Sequence, residues 1–259
     1  MKHNKAPAVL PVMSWMIIMG CTAPPITISQ SDVRAVFTTG TTIRLLWDST
    51  TRPVDVGGTG GPNTYDFREL DFRLYDSVTM LPVTQIPQLA SRFPPDAVTS
   101  NEEGNTLYPV FSFSNQTFLR HGRARISATK EWYQHIIPPD EFLRFPVTFN
   151  TQFTATNTVV VETTYVNGLP TKTSADTSSQ TAYVDGYGTL LLPGGLALQC
   201  LRLRQVASPP KTSKAFQYWT REGPVILIDS DQSQPDSGVI KRGYVIYFSP
   251  QTASRSTRR

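Results

Sequence analysis

Thr158-Val159-Val160-Val161-Glu162-Thr163-Thr164-Tyr165-Val166-Asn167-Gly168 decides the fold class of this chain. The run is dense in β-branched residues, which are stiff at χ1 and pack well on a pleated surface. It ends on Asn-Gly, the pair that tolerates the two positive φ angles of a type I′ hairpin. The same grammar extends in both directions. Residues 145–154, 180–192 and 196–206 read as strands, with Pro193-Gly194-Gly195 as a further tight reversal. Residues 215–220, 225–229 and 239–248 complete the second half. Strands at roughly ten-residue spacing without a sustained helical period predict an all-β chain. The expected form is an antiparallel β-sandwich, one large or two small and packed, with little helix; an open barrel has the same alternation.

The first half carries the pattern less regularly. Residues 26–29, 33–37 and 42–47 read as strands behind a stiff Pro24-Pro25 tether. Apolar residues alternate with charged ones over 65–67 and again over 70–74, which predicts one half-buried strand with a bulge near Arg68 and Glu69. Residues 80–106 read as a long connection with a helical turn around 88–91, and 107–113 and 117–127 as strands. Residues 130–137 suit a helical turn or a strand, closed by Pro138-Pro139. The change in regularity near 145 divides an N-terminal β-region, 31–144, from a C-terminal one, 145–250; one continuous unit is the alternative.

The amino end reads as an address. Lys2, His3 and Lys5 precede a mostly apolar run over 6–19 and then Gly20-Cys21, the order of a signal peptide spanning 1–20, with a tether over 21–30. The run is short of the ~20 residues a spanning helix needs, and Pro7 and Pro11 interrupt it. Ile18-Met19-Gly20-Cys21 resembles the bacterial lipobox. The resemblance implies lipidation of Cys21, a membrane partner reached through that anchor, and an outer-membrane destination, since Thr22 is not the aspartate of inner-membrane retention. The alternative is ordinary signal cleavage near Cys21 and a periplasmic or extracellular product. An acylated Cys21 leaves Cys200 as a core or strand residue; a Cys21 to Cys200 bridge is the other possibility.

Of the formal charge of +4, two units sit on Lys2 and Lys5, and three arginines lie in the basic tail 251–259. No nucleic-acid partner is expected. His121 and His135 lack zinc spacing, no Gly-x-Ser-x-Gly elbow occurs, and the glycine-rich loop at 57–61 is not followed by the Lys-Ser/Thr of a phosphate loop. No catalytic residue and no cofactor are expected. Asp229, Asp231 and Asp236 place oxygen ligands close together and are a candidate Ca²⁺ site, although the stretch lacks the sixth-position glycine and the terminal glutamate of an EF-hand loop. A polar hairpin tip is the commoner use of such residues. Asp140, Glu141, Glu162 and Asp176 are carboxylates that a fold might gather at glycosidase distance. Trp47, Trp132 and Trp219, with Tyr165, would serve either as a sugar-stacking platform or as core.

Three segments resemble, in order, a pattern of secreted and surface proteins of Bacteroidota and relatives: 54–67, with its glycine-rich stretch leading into Asn63-Thr64-Tyr65-Asp66-Phe67; Phe145-Pro146-Val147-Thr148-Phe149; and 184–195 followed by Cys200-Leu201-Arg202-Leu203-Arg204. Tyr65 and Arg68 stand where the pattern has Trp and Ser. The resemblance implies an uncharacterised β-rich surface protein, here without a type IX sorting domain, and carries over no site. Physically, Gly57, Gly58, Gly60 and Gly61 suit positive φ or close backbone approach, Gly186 and Gly188 would let a strand bend around Tyr187, and Asp66 and Asp185 suit turn capping. The expectation is a non-enzymatic cell-envelope lipoprotein with a structural, adhesive or binding role and a glycan or protein partner. The alternatives are a carbohydrate-binding module and a hydrolase with convergent carboxylates.

Overall fold

The structure, a computed structural model, describes residues 24–50, 52–208, 212–241 and 243–250. The signal peptide, Cys21 and the basic tail lie outside them. The strands in chain order are β1 (Thr42–Asp48), β2 (Val54–Asp55), β3 (Gly60–Asp66), β4 (Arg73–Pro82), β5 (Val98–Ser100), β6 (Leu107–Phe113), β7 (Thr117–Ile126), β8 (Lys130–Arg144), β9 (Gln152–Val166), β10 (Leu169–Leu191), β11 (Ala197–Ala207), β12 (Ser213–Thr220), β13 (Gly223–Ser230), β14 (Val239–Ile240) and β15 (Val245–Pro250). Two short helices accompany them, α1 (Gln30–Val36) and α2 (Pro87–Ala90).

β11 pairs with β12 on one side and with β10 on the other, and the neighbours run β12-β13-β15-β1-β4-β5-β6-β7-β8-β9-β10. The sheet therefore closes on itself as a twelve-stranded antiparallel barrel. The expected sandwich is corrected. Alternation at period two records only that one face is buried, and it reads the same on the inner face of a sandwich or a barrel. Closure gives both edges of the sheet a partner. Strands from both sides of residue 145 share the sheet, since β8 pairs with β9 and β1 with β15.

Cross-strand partners face the same side, so the register maps the barrel's interior in rows. The lowest runs Tyr187, Leu201, Trp219, Pro224, and the next Val184, Leu203, Gln217, Leu227, Ile246, Trp47. Above them come Ala182, Gln205, Ala215, Asp229 and then Gln180, Ala207, Ser213. The interior grades from apolar at one end to polar at the other.

The apolar end is plugged. Ile28 and Val147 exchange backbone bonds of 3.0 and 2.9 Å, and α1 follows, sinking Val33 and Val36 among the lower side chains. Residues 33–36 are thus helical and Phe37 caps the helix, so the strand expected over 33–37 does not form. The signal was Ser29-x-x-Asp32: the Ser29 hydroxyl accepts from the Asp32 N–H and the Asp32 carboxylate accepts from the Ser29 N–H at 2.7 Å, a capping box. β15 also ends here, with Pro250 opposite Ile43.

Two outer layers cover the barrel wall. β2, β3 and β14 bury Val54, Val56, Tyr65, Phe67 and Ile240 against Cys200, Phe216, Tyr218 and Ile228. β3 joins β10 in parallel and ends at Asp66, after which Leu70 N–H closes a turn on the Phe67 carbonyl. The single strand expected over 65–75 is therefore two elements, and that expected over 239–248 is likewise split into β14 and β15. α2 and its flanks lay Val83, Leu89 and Phe93 over Tyr108, Val110 and Tyr133. Pro138-Pro139 does not end β8, which continues past them to Arg144. Asn167 and Gly168 have φ of 50° and 79°, as a type I′ hairpin requires.

Candidate functional site: a graded chamber inside the barrel

The polar end of the barrel opens into a chamber of about 500 Å³ walled by residues from β6 to β12 and by Tyr244. Its side chains are joined in one direction to the core beneath it. Trp219 Nε1 donates to Gln217 Oε1 at 2.8 Å, Gln217 Nε2 to Gln205 Oε1 at 3.1 Å, Gln205 Nε2 to Gln180 Oε1 at 2.6 Å, and Gln180 Nε2 to Asp140 Oδ2 at 3.1 Å. An indole can only donate and a carboxylate only accept, so the two ends of the chain fix how all three amides point. Arg120 Nη2 donates to the same Asp140 oxygen at 2.5 Å and to Gln180 Oε1 at 3.3 Å. Asp140, 5% exposed, is the sink of the network. Each glutamine commits one amide hydrogen to the chain, and Gln180 and Gln205, which line the chamber, have a second to offer a ligand.

The chamber's remaining wall is mixed. Ser178, Ser213 and Gln134 add polar groups, and Phe111, Phe142 and Tyr244 add ring faces. Arg120 and Arg123 are balanced by Asp140 and Asp176, so the lining has no net charge. The size is within the ~300–1,000 Å³ of small-molecule sites.

Beneath it lies a second hollow of about 140 Å³, walled chiefly by Ile43, Leu45, Val78, Met80, Trp219, Ile226 and Phe248, with Phe111 and Phe142 shared between the two. Unfilled, an apolar hollow of this size costs about 3 kcal/mol at ~24 cal/mol per Å³. One carboxyl touches it. Burial pushes Glu102 up to about 7, the Ser100 hydroxyl at 2.7 Å opposing the shift. With its pKa raised in the folded state, Glu102 adds stability at low pH, and that contribution fades as pH climbs from the unfolded value of ~4.3 to 7. Glu102→Gln is expected to raise unfolding free energy by about 2–3 kcal/mol at pH 8 and to leave it unchanged at pH 4, read from urea titrations across that range.

The sequence candidates fall into separate places. Asp229 shares an interior row with Ala215, Asp231 accepts the Ser233 N–H at the hairpin tip, and Asp236, half exposed, is bound to Lys214 at 2.6 Å and Arg204 at 3.1 Å. Burial raises the Asp229 carboxyl, while Lys214 and Arg204 outweigh burial at Asp236 and hold it low. The three carboxylates do not converge, and among the described residues no group of three or more His, Cys, Asp or Glu could hold a metal ion. Asp140 and Asp176 both reach the chamber; Glu141 pairs with Arg144 at 2.6 Å, and Glu162 accepts from Gln134 at 2.8 Å. No tryptophan platform forms. Trp219 is core, Trp132 lies 5.3 Å from the Arg123 guanidinium, Tyr165 packs on Arg92, and Trp47, 40% exposed, meets Tyr75 at a tilt, centroids 5.4 Å apart. By register Trp47 shares the inner face of Leu45, which puts the Trp47–Tyr75 pair on the barrel's inner rim.

The glycine-rich segment 54–67 and the segment 184–204 meet around Arg202, which is fully buried. Its guanidinium donates to Asp185 at 2.9 Å, to the Val56 and Gly57 carbonyls at 2.9 and 3.1 Å, and to the Asp236 carbonyl at 2.9 Å. A Cβ at Gly188 would lie 1.9 Å from the Asn63 carbonyl oxygen, so only glycine admits this approach of β3 to β10. Cys200 lies in the same layer, its thiol pushed up to about 12 by burial and chemically quiet. Sequence reasoning missed Arg120, Gln180, Gln205 and Gln217. Their signal was an amide or guanidinium two residues from an apolar one of the same inward parity: Gln205 beside Leu203, Gln217 beside Trp219, Gln180 beside Ala182 and Arg120 beside Phe118.

No family model, curated protein or solved structure matches this chain.

Proposed function

We propose that this protein is a non-enzymatic binding protein of the cell envelope whose barrel receives a small, uncharged, hydroxyl-rich solute such as a saccharide. The observation that carries this is the directed chain that rises from Trp219 and Gln217 on the apolar side to Gln205, Gln180 and Asp140 on the chamber wall. Hydroxyls both donate and accept, and they pair with amides and a carboxylate held rigid in advance, whereas a net-neutral lining gives no reward to an ion. Ring faces of Tyr244, Phe111 and Phe142 supply the apolar contact that such ligands also present. A hydrolase reading is weaker, because the Asp140 oxygen nearest the chamber network is already engaged by Arg120 and Gln180.

The plugged end supports the lipid-anchor reading. Residues 24–29 enter the fold at that end, so an acylated Cys21 would hold the closed end toward a bilayer and turn the open chamber outward. The test is a glycan-array and calorimetric screen of the mature chain beside fractionation of a Cys21→Ser variant. Saturable binding of a neutral saccharide is expected, with loss of membrane association in the variant and no loss of binding. Absence of any saccharide binding above millimolar affinity would sink the chamber reading, and unchanged fractionation would sink the anchor.

A further inference from the structure

We infer that the inner apolar hollow is a second subsite, built to take an apolar group of about the size of a benzene ring or a hexyl chain, so that the natural ligand is an amphiphile with its polar part in the outer chamber. The site itself stands on the barrel's geometry; the polar half of the ligand rests on the reading above.

Three observations carry it. The hollow, about 140 Å³, is nearly the volume of an apolar void, ~150 Å³, that stays dry and binds benzene. It directly adjoins the polar chamber, since Phe111 and Phe142 wall both and Gln217, on the hollow's wall, donates to Gln205 on the chamber's. The polarity also changes along a single axis, from Gln180 and Ser213 through Gln217 to Trp219 and Leu45, as the register rows show. A ligand lying along that axis meets hydrogen-bonding groups at the mouth and, within, mainly methyls and rings, with Glu102 and Ser100 bonded to each other on one side of the wall. A purely polar solute would leave the hollow unfilled, and a purely apolar one would strip water from Asp140 and the glutamines without replacing its bonds.

The experiment titrates the mature protein with benzene, followed through the methyl signals of Ile43, Leu45 and Val78, and then compares n-hexyl with methyl glycosides of the sugars in the screen. Saturable benzene-induced shifts at millimolar concentration are expected, and a hexyl glycoside binding about 100-fold tighter than its methyl counterpart, equivalent to ~2.7 kcal/mol. Val78→Phe fills the hollow and should abolish the benzene shifts and the hexyl advantage together. Should that variant not fold, Leu227→Trp fills from another part of the wall. No benzene shift in the unmodified protein, or equal binding of hexyl and methyl glycosides that both bind, overturns the inference. Benzene binding with no glycoside bound supports the subsite and refutes the saccharide reading alone.

Discussion

Arg202→Met is expected to lower the unfolding free energy by about 3 kcal/mol, at the low end of the ~3–5 kcal/mol typical of breaking a buried charge pair. The residue has no exposed surface and joins four acceptors on three segments that are far apart in sequence. Two of those acceptors keep another donor when it is gone: the Val56 carbonyl retains the Tyr218 hydroxyl at 2.8 Å, and the Gly57 carbonyl retains the Gly238 N–H at 2.9 Å. Asp185 keeps Arg204 at 2.8 Å. The uncompensated losses are one carboxylate oxygen and the Asp236 carbonyl, which is why the low end applies. Urea denaturation measures the change, and the midpoint should fall with an unchanged slope. Arg204→Met should cost about 1 kcal/mol or less, because its second partner, Asp236, is half exposed. Equal losses in the two variants would show that the buried guanidinium does not pin the outer layer as described.

The sequence reached the fold class through its side-chain alternation and its turns, and both kinds of signal are local. Asn167-Gly168 specifies a hairpin because only the two residues' own φ angles are at stake. Barrel closure is decided by β10 meeting β11 on one side while β9 holds the other, a question of which strand lies beside which that period-two alternation does not encode. The Ser29-x-x-Asp32 box stands in the sequence but was passed over, because Val33, Val36 and Phe37 are residue types that favour strands; burial of Val33 and Val36 at the barrel's end decided for the helix. Gly57, Gly60 and Gly61 show the positive φ or close approach read from the loop, whereas Gly188, read as a bend around Tyr187, is where β3 meets β10, a partner that appeared only in the fold. The chamber was the least legible part. Its three chain amides and the Arg120 guanidinium lie on four strands between residues 120 and 217, and nothing short of the pairing register brings Gln180 beside Gln205.

Asp140→Ala is the substitution with the largest expected effect on binding. Asp140 is where two lines of donors end: Arg120 Nη2 at 2.5 Å and Gln180 Nε2 at 3.1 Å share one of its oxygens. Without that acceptor the direction of the chain is no longer imposed from both ends. Gln180 is free to turn its amide, and Gln205 and Gln217 behind it lose the ordering that prepares the chamber. Saccharide affinity should therefore fall by at least about 100-fold, which ~2.7 kcal/mol of lost preorganised hydrogen bonding would produce. Stability should fall as well, by about 2 kcal/mol and not the ~3–5 of a fully buried pair, because the Arg120 side chain is 32% exposed and water can partly take over its charge. The two effects separate in a double variant. Arg120→Met beside Asp140→Ala removes the unpaired cation, so the combined loss of stability should be smaller than the sum of the single losses by about 1–2 kcal/mol. Affinity should not recover, since the amide chain still has no sink. Recovery of binding in the double variant would mean that Asp140 acts only by neutralising Arg120, and that the ordered chain from Trp219 has no part in holding the ligand.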